Sequence, residues 1–185
     1  MPSAAIGALA ILRQMTAADR TGEYARILAE NRRYTDAFDR SALTAMPLSH
    51  LAVVACMDSR LDVEETLGLR TGDAHIIRNA GGLVTDDVIR SLIVSVELLG
   101  TQEIVLIEHT RCGLQDLDED AFRARVAADS GTDVEGPVVK YGGFTDLEEN
   151  LRRQVAILRD HPLLGRFAIH GLVFDVSNGG LSELA

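Results

Sequence analysis

Continuous apolar runs alternate with amphipathic stretches along most of this chain. Leu51–Cys56 is apolar at every position, the pattern of a strand covered on both faces. Residues 74–78, 104–107 and 167–176 read as further strands. Helical patterns lie between them. Residues 62–69 form a short one, capped by Asp62 and closed near Gly72. Residues 85–99 form a longer one, capped by Thr85 and stopped by Gly100, with Val88, Leu92, Val96 and Leu99 on one stripe. Residues 117–128 form another, followed by a Gly- and Pro-containing connection over 129–143. Thr145-Asp146-Leu147-Glu148 is a capping box that opens a helix to about Arg159. Asn178-Gly179 is a hairpin signal leading into residues 181–184.

Strands alternating with helices predict an α/β fold: a mainly parallel β-sheet flanked by helices, with a C-terminal hairpin-like extension. Residues 17–41 are helical and polar, with Tyr24, Ile27, Leu28, Tyr34 and Phe38 at roughly helical spacing. Such a sparse stripe suits an N-terminal helical arm that packs on something other than the core. The expectation is one domain over 1–185, with an arm at 1–45 and an α/β core at 50–185.

Net charge changes the picture by exclusion. At −10 the chain lacks the cationic surface that phosphate binding needs, so neither nucleic acid nor an acidic membrane is an expected partner. No apolar run is long enough to span a bilayer. The apolar stretch at residues 6–12 has no basic flank, so a signal peptide is not expected and the expected location is cytoplasmic. Two cysteines do not make a disulfide scaffold; they suit a reducing compartment or metal ligation.

Those two cysteines carry the chemistry. Cys56 ends the first apolar run, and Cys112 follows Ile104-Val105-Leu106-Ile107 by a short turn that also bears His109. In open α/β sheets ligands sit beyond the carboxyl ends of strands, where both thiols emerge. Two thiolates and an imidazole are the protein half of a catalytic zinc site, with a fourth position left open. Residue types alone fit two buried free cysteines equally well; the shared strand-end placement favours metal. Asp58 and Arg60 follow Cys56 at alternate positions, so an extended backbone would point them the same way as the thiol. An arginine there would hold the aspartate ionised beside the metal. Arg78-Asn79-Ala80-Gly81-Gly82 reads as a tight loop that lines the site with backbone N–H groups. Met57 reads as packing, and Glu108 as a buried-pair or interface residue facing away from His109. His50, His75, His161 and His170 have no partner pattern and read as structural or surface histidines.

Cys56-x-Asp58-x-Arg60, then Arg78-Asn79-Ala80-Gly81, then His109-x-x-Cys112-Gly113 resemble the β-class carbonic anhydrases. The Val88-Ile89-Arg90-Ser91-Leu92 helix and the ending Gly171-Leu172-Val173-Phe174-Asp175-Val176 are similar to the short bacterial branch of that family. The resemblance covers residues 20–185. It implies zinc-dependent reversible hydration of carbon dioxide to bicarbonate and a proton, by attack of zinc-bound hydroxide. It implies Zn(2+) on Cys56, His109 and Cys112, with Asp58 and Arg60 as a catalytic dyad. Asp58 becomes the fourth ligand when the site is closed and pairs with Arg60 when it is open. Asn79, Ala80, Gly81 and Gly113 would line the substrate pocket. The implied sheet has four parallel strands and an added antiparallel one, in a homodimer or homotetramer with the arm lying across the partner copy. Glu108 and Arg111 depart from the branch's usual His-His-Thr-Asp-Cys-Gly. The alternative within the same fold is a hydrolase of carbonyl sulfide or carbon disulfide at the same zinc site.

Overall fold

The computed structural model describes residues 17–131 and 140–184, with side chains from Gly22 onward. The stretch at 6–12 and most of the 129–143 connection therefore lie outside the described residues. The chain divides into two compact units, one up to Leu43 and one from Thr44 on.

The first unit holds helix α1, Ala17–Asp36. It is shorter than the expected 17–41, because backbone turns over Tyr34 to Phe38 end it. Tyr24, Ile27, Leu28, Tyr34 and Phe38 are all exposed.

The second unit is a five-stranded sheet: β1 (Leu51–Cys56), β2 (Ala74–Asn79), β3 (Glu103–His109), β4 (Ala168–Phe174) and β5 (Leu181–Glu183). Its order is β2-β1-β3-β4-β5. The first four strands are parallel, and β5 runs antiparallel to β4. The mixed sheet expected from the sequence is thus observed. The central position of β1 explains its unbroken apolar run, since Ala52, Val53, Val54 and Ala55 are all fully buried.

Helices α3 (Asp86–Glu97) and α5 (Leu147–Asp160) cover one face. Val88, Leu92 and Val96 of α3, with Leu151, Val155 and Leu158 of α5, meet Ala52, Val54, Ile104, Leu106 and Ile169. Each fully buried leucine contributes about 2 kcal/mol by leaving water, so this face anchors the sheet. The opposite face, with Val53, Ala55 and Ile107, is covered by the short helix α2 (Val63–Leu67) and Leu61. Helix α4 (Glu119–Ser130) has no buried residue.

Several boundaries differ from the sequence reading, each for a local reason. Helix α2 stops at Leu67, because Gly68 takes a left-handed conformation and its N–H caps Glu64 and Glu65. Helix α4 starts at Glu119, where the Asp118 carboxylate accepts from the Asp120 and Ala121 amides. Helix α5 is capped by Asp146 instead of Thr145: its carboxylate accepts from the Glu149 amide at 2.9 Å. Strand β3 runs on to His109, and β4 ends at Phe174 because Asp175 folds the next residues into a turn through Ser177 and Asn178.

Candidate metal centre

Pairing sets Cys56 and His109 at the same end of the sheet. Ala55 stands opposite Ile107, and Cys56 opposite Asn79. Beyond β3 the chain makes one tight turn in which Arg111 has φ 55°, and this brings Cys112 back over the strand end. The sulfurs of Cys56 and Cys112 and a ring nitrogen of His109 lie within 4.8 Å of one another. Tetrahedral zinc with bonds of about 2.0–2.3 Å needs donors about 3.5–3.8 Å apart, which fits inside that bound. The His109 Nδ1–H donates to the Thr110 carbonyl at 3.0 Å. Its Nε2 is fully buried and has no hydrogen-bond partner. An unpartnered imidazole nitrogen between two thiols is the donor set zinc prefers, and the residues present fit the ion.

The electrostatics agree. The neighbouring Cys112 thiol, helped by His109 and backbone N–H groups, pulls the Cys56 pKa down to about 4 against the cost of burial. The resulting thiolate, together with burial, pushes Cys112 up, so the pair shares one proton until a cation takes its place. Burial opposes charging His109, but the Cys56 thiolate, the Thr110 carbonyl and Asp58 outweigh it and raise its pKa. The centre already draws positive charge.

Asp58 and Arg60 meet, although not along an extended strand as expected. The chain leaves β1 at Cys56 and turns: the Leu61 amide donates to the Asp58 carbonyl, and the Arg60 amide to Asp58 Oδ1 at 2.9 Å. That turn, not alternation, puts the two side chains together. The guanidinium donates to both carboxylate oxygens, at 2.9 and 2.7 Å. It holds the Asp58 pKa well below the usual carboxylate range. Asp58 Oδ2 is 3.8 Å from His109 Nε2, so the carboxylate borders the metal position while Arg60 holds it. Arg60 also donates to the Arg111 carbonyl at 3.0 Å.

The glycine loop is a 3-10 turn, Ala80–Gly82. Asn79 spends its side chain closing that turn, accepting from the Leu83 amide and donating to the Leu83 carbonyl. A Gly81 N–H helps stabilise the Cys56 thiolate. Gly82 has φ +67°, and a Cβ there would lie 3.0 Å from both the Cys56 amide nitrogen and the Ile107 carbonyl oxygen. Asn79 and Ala80 line a groove of about 560 Å³, whereas Gly113 lines a separate one of about 400 Å³. Of the four pocket residues expected from the resemblance, Asn79 and Ala80 thus line one depression and Gly113 the other, while Gly81 lines neither.

Sequence reasoning missed three supports. Phe144 packs with Cys56 and Cys112, joined by Leu114 and Leu147, and walls the centre with apolar surface. Arg78 braces the segment leaving β1 by donating to the Cys56 and Asp58 carbonyls at 2.9 and 2.7 Å. Thr110 ties the ligand turn to Asp175. Only Arg78 carried a signal, its place beside Asn79 in the loop motif. Met57, expected to pack, is 65% exposed. Glu108 is buried as expected and accepts from Asn150 at 2.8 Å, with Arg153 donating in turn to Asn150. His50 and His75 hydrogen-bond to Gly100 and to Ser95 and Ala45, and His170 pairs with Glu103, all away from the centre.

Comparison with known proteins gives the family of the chain. Residues 51–132 match the family described as carbonic anhydrase. The chain is 41% identical over 158 residues to beta-carbonic anhydrase 1 of Mycobacterium tuberculosis, covering 85% of this chain and 94% of that protein. It is 39% identical over 150 residues to a carbon disulfide hydrolase of Acidithiobacillus thiooxidans, covering 71% of this chain and 75% of the relative. Among solved structures, a carbonic anhydrase of Streptococcus mutans superposes with a TM-score of 0.81 at 41% identity, over 88% of this chain and 97% of that one. Identity at that level over most of both partners reflects shared descent and not a shared fold alone: the chain belongs to the β-carbonic anhydrase family.

Proposed function

We propose that this protein is a zinc enzyme that interconverts carbon dioxide and bicarbonate. The observation that carries this reading is the convergence of Cys56, Cys112 and His109 beside a carboxylate held by an arginine. Cys56, His109 and Cys112 hold the ion. Zinc supplies Lewis acidity that makes a water nucleophilic near neutral pH. Asp58 would accept a hydrogen bond from a water there and orient it, with Arg60 keeping Asp58 ionised and in place. Phe144, Leu114 and Leu147 offer an apolar surface suited to a linear, uncharged substrate. Asn79, Ala80, Gly81 and Gly113 border the approach. With zinc bound, these residues would place a water oxygen against the carbon of carbon dioxide; as that C–O bond forms one C=O π bond would open, giving bicarbonate, and the proton lost by the water would pass to buffer.

Carbon disulfide or carbonyl sulfide hydrolysis is the second reading, favoured by the 39% identity to a carbon disulfide hydrolase. These substrates are linear and neutral like carbon dioxide, so the same residues would serve. The exposed apolar side chains of α1 support a homodimer or homotetramer in which the arm lies on another copy. Among the described residues no helix is long and apolar enough to cross a membrane, and we place the enzyme in the cytoplasm.

The test is stopped-flow hydration on protein with verified zinc content, from about pH 6.5 to 9, which brackets a zinc-water pKa near 7. Carbonyl sulfide and carbon disulfide are run in parallel. Hydration that rises with pH supports the first reading. Sulfide release without hydration moves the function to the second, and full zinc with neither activity refutes both.

A further inference from the structure

The turn that carries His109 and Cys112 is held from outside the metal centre. Thr110 sits between the ligands, and its hydroxyl makes two hydrogen bonds to the segment that follows β4. It donates to Asp175 Oδ1 at 3.2 Å and accepts from the Val176 amide at 3.2 Å. The Thr110 amide donates to the Phe174 carbonyl at 3.0 Å, so the residue is pinned through backbone and side chain together. Asp175 is itself fixed: Ser177 donates to Oδ1 through its amide and its hydroxyl, and Asn178 donates to Oδ2. The remaining polar group of Thr110, its carbonyl, accepts from His109 Nδ1.

A carbonyl can only accept, so Nδ1 carries the proton and a neutral His109 presents a bare Nε2. That buried, unpartnered Nε2 faces the sulfurs. The direction of the Thr110 carbonyl is set by a peptide plane that joins Arg111, a non-glycine residue at φ 55°. A left-handed residue of this kind costs about 1–2 kcal/mol and needs fixed neighbours to persist. Arg60 holds the plane after Arg111, and Thr110 holds the one before it.

We propose that Thr110 and Asp175 are positioning residues for the metal centre: their hydroxyl-to-carboxylate bond fixes the carbonyl that orients the His109 ring. This rests on the reading of Cys56, His109 and Cys112 as metal ligands. Groups that orient a ligating histidine typically change metal affinity about 10–100-fold when removed. Asp175 lies 66 residues beyond His109 in the chain, at the start of the β4–β5 turn, so a side chain far from the ligands in sequence controls zinc retention.

Thr110→Val keeps the shape and removes the hydroxyl, whereas Thr110→Ser keeps the hydroxyl. Zinc-loaded protein is mixed with a chromophoric chelator and release is followed. Cobalt(II)-substituted protein gives the ligand-field and thiolate charge-transfer bands, which report donor geometry. T110V should release zinc about tenfold faster or more and shift the cobalt bands, while T110S stays within about twofold of the parent. A folded T110V with the parent's release rate and spectrum overturns the proposal, and so does a T110S as impaired as T110V. If T110V does not fold, Asp175→Ala removes the same bond from the other side and is judged by the same two readouts. A parent that binds no zinc defeats the metal reading and the proposal together; a parent that binds while the variants match it defeats the proposal alone.

Discussion

Gly82→Ala should be far more damaging than Gly68→Ala, although both glycines have φ +67°. The shared angle makes the pair a controlled comparison. An alanine in this left-handed region costs about 1–2 kcal/mol at either site. At Gly68, the C-cap of α2, an added Cβ would meet nothing within 4 Å, so the conformational cost is the whole effect. At Gly82 the Cβ would sit 3.0 Å from the Cys56 amide nitrogen, 3.0 Å from the Ile107 carbonyl oxygen and 3.1 Å from the Ala55 carbonyl carbon. All three are backbone atoms of the paired central strands, so nothing flexible can give way. Overpacking of this kind adds about 1–3 kcal/mol, for a total of about 2–5 kcal/mol. For a chain of this size the extra loss is roughly 2–12 °C in melting temperature relative to G68A. The assay is thermal unfolding at one protein concentration, with excess chelator and then with zinc. Because the intruding methyl pushes directly on Cys56, zinc should stabilise G82A less than it stabilises G68A, as linkage requires when affinity falls. Equal melting temperatures for the two variants would refute the argument that close strand approach is what requires glycine at 82.

Two further outcomes follow from the charges around the centre. In Arg60→Ala the Asp58 carboxyl loses the guanidinium that depresses its pKa, so its titration, followed by carbon-detected NMR, should move up toward the ordinary carboxylate range; an unmoved titration would mean that Arg60 is not the cause. Burial pushes Glu108 up to about 7, so the folded metal-free protein holds this proton over a range where the unfolded chain has lost it. Stability of the metal-free protein should therefore fall as pH rises from about 4.5 to 7 and level off above, by roughly 3 kcal/mol from this group. Glu108→Gln keeps an acceptor for Asn150 and should flatten that slope in urea titrations; an unchanged slope would remove Glu108 from the account.

The strands could be read because the sheet's central position leaves no solvent face. Leu51–Cys56 is apolar throughout since α3 and α5 cover one side and α2 with Leu61 the other. Caps were harder, because two neighbouring residues can each offer an oxygen. Thr145 and Asp146 both suit an N-cap, and only the geometry of the turn before α5 assigns the role to Asp146. The end of β4 was misjudged for a related reason. Val176 is apolar and extends the run, yet the Asp175 side chain binds the backbone just ahead of it and ends the strand.

The Cys56–His109–Cys112 cluster was accessible to sequence reasoning because its placement needs few facts: Cys56 ends β1, His109 ends β3 with Cys112 a short turn beyond it, and parallel strands share an end. The groups that hold those residues still were not accessible, because each acts across a long separation in sequence. Phe144 reaches the centre through a bridge to Gln115, and Thr110 meets Asp175 just beyond the paired ends of β3 and β4. The Asp58–Arg60 pair shows how a correct expectation can rest on the wrong cause. Alternation along a strand predicted that they would meet, but a turn closed by the Leu61 amide brings them together. An extended backbone would have aimed both side chains past the strand end. The turn instead lets one guanidinium hold Asp58 and the Arg111 carbonyl at once. Arg60 thereby ties the carboxylate beside the Cys56–His109–Cys112 cluster to the turn between His109 and Cys112, so removing its guanidinium should free both at once.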